Sequence, residues 1–447
     1  MTEPVQPPSP YIPNTPEDQR AMLQAIGVAS IDDLFADIPA SHRKPRLALP
    51  APLSEQELLD ELRSLAAQNA DAQRYACFLG AGAYRHFVPS IVGHITSRSE
   101  LATSYTPYQP ELSQGVLQAT YEFQSLLCQL TEMEVANSGM YDGASALAEA
   151  ALMACRITGR YSVVALDTVN PRYLAAVRSY LSGQNIGLRT VPPTEVSLGQ
   201  EDACLLAQSP NFFGYLEEMP LLSDQAHRAG ALLVAAFDPI SLGKFAPPGS
   251  YDADIAVGEG QPLGNALNFG GPYLGLFACK AKYLRQMPGR IAGRTVDTKG
   301  RTGYVLTLQT REQHIRRERA TSNICTTESL MALAATVYLA ALGKHGLRQV
   351  AELCYHKAHY AAQRIAALPG YRLPMQGVFF KEFVAQCPVA PARLNRALLR
   401  KGILGGLDVS DRISNGMLLC VTETNTRQQI DQLAEVLPSI RPELRPR

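Results

Sequence analysis

Between residues 160 and 280 the chain alternates short, mostly apolar runs with helical patterns, and no other feature restricts its fold as much. The apolar runs cover 162–166, 188–191, 203–208, 232–237, 255–257 and 274–279, with helical periodicity at 171–182 and 222–229 between some of them. A strand that is apolar on both faces needs cover on both faces, a demand met by a mostly parallel sheet sandwiched between helices. Upstream, 116–133 reads as a helix, and Asn137-Ser-Gly-Met-Tyr-Asp-Gly143 opens another over 144–155. A long helical stretch is expected over 313–343. The rhythm then changes to a strand at 379–384, a helix at 391–400, strands at 403–407 and 417–421, and a helix behind the capping box Thr426-Arg-Gln-Gln429. The expected fold is therefore α/β, a large domain with a mostly parallel sheet followed by a small C-terminal α+β domain.

The N-terminal region differs. Residues 1–17 are Pro-rich and read as an extended arm, either disordered or packed on a partner. Ser54-Glu-Gln-Glu57 is a capping box, and Leu58, Leu59, Leu62, Leu65 and Ala66 form one apolar face behind it. Three segments result: 1–75 (arm and helix), 76–325 (large domain) and 326–447 (small domain). Within the second, 78–115 is irregular and rich in Gly, Pro, Tyr and Ser, and a stretch of that kind in a compact domain is usually functional or interfacial.

Composition narrows the function. The 447 residues hold 41 Lys+Arg and 41 Asp+Glu, and a chain without net charge is a poor candidate for binding nucleic acid or a membrane surface. The first ten residues lack the basic and apolar regions of a signal peptide, and the longest near-continuous apolar run, 331–342, is too short to span a bilayer. The nine Cys form no CxxC and no cluster with metal spacing, which suits reduced, mostly buried thiols in a cytoplasmic protein without a metal. Cys325, beside Ile324 and with no His within ten residues, is expected to be one of the buried thiols. His356 and His359 are expected on the surface, with no carboxylate at a matching helical step. His314, among Arg311, Arg316, Arg317 and Arg319, reads as part of a solvated helix face partnered by Glu312 and Glu318; the alternative is a patch that steers an acidic carrier.

A large α/β domain followed by a small α+β domain is the layout of the pyridoxal-phosphate (PLP) enzymes of the aspartate-aminotransferase fold. That cofactor needs a Gly-rich turn at a helix N-terminus for its phosphate, an Asp at a strand end for its ring nitrogen, and a Lys roughly 20–35 residues later for the Schiff base. Asn137–Gly143 fits the turn, and Asp238 follows the 232–237 strand, although an ordinary Asp-Pro turn with Pro239 explains it equally well. The Lys is missing. Only nine residues are Lys (44, 244, 280, 282, 299, 344, 357, 381 and 401); Lys244 comes six residues after Asp238 and Lys280 comes 42 after it.

Consecutive motifs then carry a resemblance. Phe78-Leu-Gly-Ala-Gly82, Ser104-Tyr-Thr-Pro-Tyr-Gln-Pro-Glu-Leu-Ser-Gln-Gly115, Ala136-Asn-Ser-Gly-Met-Tyr-Asp-Gly-Ala144, Gly258-Glu-Gly-Gln-Pro-Leu-Gly264, Phe269-Gly-Gly-Pro-Tyr-Leu-Gly275 and the run Arg311–Cys325 resemble, in order, the N-terminal half of glycine decarboxylase, the P-protein family of the glycine cleavage system. The resemblance is to the first subunit of its two-subunit form. It implies that the Schiff-base Lys and PLP belong to the second subunit, with which this chain would form a heterodimer or heterotetramer. Aligned by its flanks, this chain has Pro262 at the Lys position and Ala235 at the Asp position. No catalytic or cofactor-binding residue is then expected in this chain. The implied activity is decarboxylation of glycine with transfer of the aminomethyl group to the lipoyl arm of the H-protein. Tyr105 and Tyr108, then Thr321, Ser322 and Asn323, are the residues expected at the active-site mouth or subunit interface. Two other readings stay open: a self-sufficient PLP-dependent lyase or decarboxylase using Lys244 or Lys280, and a non-catalytic scaffold paralogue.

Overall fold

The computed structural model describes residues 11, 13–43, 48–102 and 105–440, and the chain divides into two compact units, 1–69 and 70–447. Most of the Pro-rich arm lies outside the described residues, as does Ser104.

In the first unit, Pro16–Ile26 is a helix opened by the capping box Thr15/Asp18 and closed by Gly27 at φ 84°, a left-handed angle that glycine adopts without strain. A 3₁₀ turn follows at Ile31–Phe35, then the helix Glu55–Ala66 behind the expected Ser54/Glu57 capping box. Neither helix has a buried residue, and Met22, Ile26, Leu58, Leu59, Leu62 and Leu65 are all exposed.

The second unit is built on a seven-stranded sheet. Its strands are β1 (Val135–Ala136), β2 (Ser162–Leu166), β3 (Gly187–Val191), β4 (Asp202–Ser209), β5 (Leu232–Phe237), β6 (Ile255–Glu259) and β7 (Gly275–Cys279). They lie in the order β1-β7-β6-β5-β4-β2-β3. The run from β6 through β5, β4 and β2 to β3 is parallel, and β7 is antiparallel to both its neighbours. Every strand expected between residues 160 and 280 is present, with ends shifted by no more than two residues. The helix Gly143–Thr158 is buried along nearly its whole length against this sheet, which is why its sequence, GASALAEAALMACRIT, is small and apolar on every face. Pro171–Ser182 and Met219–Arg228 supply the alternating helices, and Gln114–Thr131 covers the β1 side of the sheet.

A hairpin, β8 (Ile291–Val296) with β9 (Thr302–Thr307), was not among the expected elements. Residues 313–343 also depart from expectation. Gln313–Arg316 is a single turn, 320–327 is not helical, and the long helix begins at Ser329. It runs to Ala366 and is broken at Gly343, whose φ of 60° is non-helical. This helix is long and apolar enough to cross a bilayer, but Ala335, Tyr338, Ala351, Cys354 and Ala358 are buried in the core of this unit.

The C-terminal part is a three-stranded antiparallel sheet, β10 (Glu382–Gln386), β12 (Gly416–Cys420) and β11 (Leu407–Asp408), in that order, covered by Pro391–Leu399 and Arg427–Val436. Thr426 and Gln429 form the expected capping box. Two upstream segments, one before the large sheet and one within it, reach this C-terminal part. Ala76–Cys77 pairs in parallel with Ile403–Leu404. The loop after β4 bonds across to the strand entry, Phe380 N to Gly214 O at 2.9 Å and Leu216 N to Val378 O at 2.9 Å. Gly214 is required there: its φ is 92°, and a Cβ would run into the Glu382 backbone.

Candidate functional site

In open α/β sheets, ligand sites form at the carboxyl ends of parallel strands. Here the C-terminal ends of β4, β5 and β6 enclose a cavity of about 30 Å³, room for one or two waters. Its walls include Tyr84, Tyr173, Gln208, Asp238, Glu259, Lys381 and Glu382.

The cavity is crossed by an ion chain. Lys381, from the entry to β10, is 2% exposed; its Nζ lies 2.6 Å from Asp238 Oδ2, 3.0 Å from His86 Nε2 and 3.5 Å from the Tyr84 ring centroid. Burial opposes the ammonium charge, but Asp238 more than offsets it and holds the lysine above its usual pKa. An ammonium only donates, so His86 Nε2 accepts and its Nδ1–H donates to Glu423 Oε2 at 2.7 Å. Burial and the neighbouring Lys381 both push His86 down and keep it neutral. Glu423 also accepts from Phe87 N at 2.6 Å; burial works against its charge, yet these bonds hold it well below the usual carboxylate range. Glu382 accepts from Ala81 N at 2.6 Å and from Tyr84 Oη at 2.7 Å, and burial pushes it up to about 7. His86, Cys354 and Glu423 are close enough to suggest a metal triad. Each donor already has a hydrogen-bond partner, however, and the Lys381 ammonium sits against the imidazole, so the triad belongs to the ion chain.

The helix N-terminus expected to hold a phosphate is engaged internally. Asp142 caps it by accepting from Ser145 N at 2.7 Å. Glu259, the last residue of β6, accepts from Gly143 N at 2.9 Å, Gln261 N at 2.9 Å and Leu274 N at 3.2 Å. Burial pushes its carboxyl up to about 8, against the pull of those three N–H groups. The other two requirements of PLP are unmet as well. Ala235 lies inside β5, fully buried. Pro262 is buried in the turn after β6 and offers no amine. Asp238 makes an Asx turn with Ile240 N (2.9 Å) and spends its other oxygen on Lys381. The residues present therefore do not fit PLP. Lys244 and Lys280 do not rescue the fit, because Lys244 pairs with Glu352 at 2.9 Å, Lys280 pairs with Asp254 at 2.8 Å, and neither lines the cavity.

The five residues expected at the mouth or interface do not line the cavity either. Tyr105 is 71% exposed. Tyr108 accepts from Arg290 Nη2 at 3.0 Å, its ring lies 5.4 Å from that guanidinium, and its edge meets His314. Arg290 pairs with the buried Glu312 at 3.2 Å, so Glu312 partners both Arg290 and His314 (3.5 Å) in a cluster and not on a solvated helix face. Ser322 donates to Glu149 Oε1 at 2.8 Å, Thr321 N bonds Arg311 O at 3.0 Å, and Asn323 is exposed.

Three smaller expectations are corrected. Cys325 is exposed, because Ile324 takes the inward position and Tyr141 Oη ties down the Cys325 N–H, leaving the thiol outward. His356 does have a carboxylate at a helical step, Glu352 at 3.2 Å. His359 is not on the surface: it is half-buried, bonded to Phe379 O and stacked on the Phe379 ring at 3.9 Å. Sequence reading also passed over Lys381, although the signal was present: Phe379-Phe380-Lys381-Glu382-Phe383-Val384 sets two adjacent charges inside an apolar run.

Comparison with known proteins adds the following. The family model for the glycine cleavage system P-protein matches residues 9–437. The probable glycine dehydrogenase (decarboxylating) subunit 1 of Desulforamulus reducens is 53% identical over 443 residues, covering 96% of this chain and 99% of its own. A crystal structure of glycine decarboxylase (P-protein) of the glycine cleavage system, in inhibitor-bound form, is 45% identical with a TM-score of 0.91, covering 97% of this chain and all of the other. The sphingosine-1-phosphate lyase of Burkholderia pseudomallei, 14% identical with a TM-score of 0.63 over 90% of this chain and 93% of its own, shares the fold alone, that of the PLP-dependent fold type I enzymes.

Proposed function

The chain belongs to the glycine cleavage system P-protein family, and on that premise we propose that it serves as the first subunit of a two-subunit glycine dehydrogenase (decarboxylating) in which PLP is carried by the other subunit. The assembled enzyme decarboxylates glycine and passes the aminomethyl group to the lipoyl arm of the H-protein. This chain binds no PLP itself. The observation that carries this reading is the sheet's carboxyl edge, where Glu259 engages the turn expected to hold a phosphate, Asp238 is spent on Lys381, and the aligned Lys and Asp positions hold Pro262 and Ala235.

The chain acts through its surface. Tyr105 and Tyr108, followed by Thr321, Ser322 and Asn323, face the second subunit at the mouth of its active site. Exposure supports this for Tyr105 and Asn323, and the Arg290–Glu312 pair fixes the ring of Tyr108 in one orientation. Purified alone, the chain is expected to be colourless and inactive in glycine–bicarbonate exchange, and addition of the second subunit should restore exchange. A yellow protein bleached by borohydride would point to a self-sufficient PLP enzyme. A colourless one that never supports exchange would point to a scaffold.

A further inference from the structure

We infer that Glu259 is the residue that excludes phosphate-bearing ligands from this chain, by seating its own carboxylate where their anion would sit. The inference rests on the reading that PLP belongs to the other subunit, and it names the side chain responsible.

The N-terminus of a helix attracts an anion because its first N–H groups have no partner in the helix and the helix dipole adds positive potential. In Gly143–Thr158 that place is taken from within. Glu259 is only 7% exposed and collects three N–H groups, from Gly143 at the helix start 116 residues away, from Gln261 in its own turn and from Leu274 beside the next strand. Those bonds are what a bound phosphate oxygen would otherwise receive. Space is closed as well as hydrogen bonding. A Cβ built on Gly143 would stand 3.0 Å from Glu259 N, 3.1 Å from Glu259 Cβ and 2.8 Å from Tyr173 Oη, so strand end and turn are already in contact. A second anion would also face the Asp142 carboxylate at the same turn. Protonation of Glu259 would remove its charge without vacating its volume. Exclusion is thus steric first and electrostatic second.

Removing the side chain should reverse it. In Glu259→Ala the N–H groups of Gly143, Gln261 and Leu274 lose their acceptor beside a helix N-terminus, and inorganic phosphate becomes the natural replacement. Full-length wild type, Glu259→Ala and Glu259→Gln would be melted in about 20 mM phosphate and in chloride of equal ionic strength. Glu259→Ala is expected to gain roughly 3 °C or more from phosphate beyond any gain of the wild type. Glu259→Gln fills the same volume and should gain no more than the wild type. A folded Glu259→Ala whose phosphate shift only equals that of the wild type overturns the inference, as does an equal gain in Glu259→Gln. If Glu259→Ala does not fold in chloride, Glu259→Ser takes its place in the same comparison. Uptake of PLP by the wild-type chain would instead sink the proposed function, whereas a phosphate-blind alanine variant of a colourless, exchange-competent subunit sinks only the role given to Glu259.

Discussion

The cavity at the sheet edge and the Tyr105–Tyr108 face treat their polar groups in opposite ways. In the cavity wall Lys381, Asp238, Glu382 and Glu259, and behind it His86 and Glu423, are each bonded to another part of the chain, over separations of up to 337 residues. On the face, one tyrosine is 71% exposed and the other leans on an arginine–glutamate pair whose components flank the hairpin, Arg290 just before it and Glu312 beyond it. A site meant for a ligand keeps donors free for it; one meant for structure spends them internally. The comparison teaches that the buried ion chain ties the two sheets together and that, on the proposed function, what the chain offers a partner lies outside it.

The contrast can be broken at its strongest point by Asp238→Ala, which leaves the Lys381 ammonium buried without its carboxylate. It should cost about 3–5 kcal/mol in denaturant unfolding, and the double change Asp238→Asn/Lys381→Met should recover part of that. A loss below about 1 kcal/mol would show that the ion chain is not a staple. Next in size is a pH effect. Glu382 is raised in the folded protein to about 7 from an ordinary carboxyl value of 4.5, so its protonated form favours folding. That contribution is complete below the unfolded value and disappears as the pH rises through about 7. Between pH 5 and 8 the wild type should therefore lose stability relative to Glu382→Gln; two parallel stability curves would refute the assignment.

On the face, Tyr105→Phe and Tyr108→Phe should leave thermal stability within about 0.5 kcal/mol of wild type while lowering exchange by the assembled enzyme about tenfold. Unchanged exchange would return these rings to simple packing. The smallest effect concerns Cys325, which should react first of the nine thiols with a soluble disulfide reagent, without change in fold; faster labelling of a buried thiol such as Cys204 would contradict its place.

The large sheet was legible because parallel strands covered on both faces are apolar at every position, as in Leu232–Phe237. The β8/β9 hairpin was not, because only Ile291, Ala292 and Leu306 of its strands are buried and it carries no alternation; its one clear mark is the turn residue Asp297, which accepts from Lys299 N and Arg301 N. The ion chain was not legible, since His86 meets Lys381 across 295 residues and nothing local links them. Glu259 stood in plain view within Gly258-Glu-Gly-Gln, but its carboxylate acquires meaning only once β6 and the 137–143 turn are brought together.

The helices of the first unit have a consequence for the life of the protein in the cell. Pro16–Ile26 and Glu55–Ala66 form correctly capped turns yet bury none of their leucines, methionine or isoleucine. Chaperones and proteases recognise such uncovered apolar stripes on newly made chains. On the proposed two-subunit reading, a chain made in excess of whatever covers them would be marked for removal.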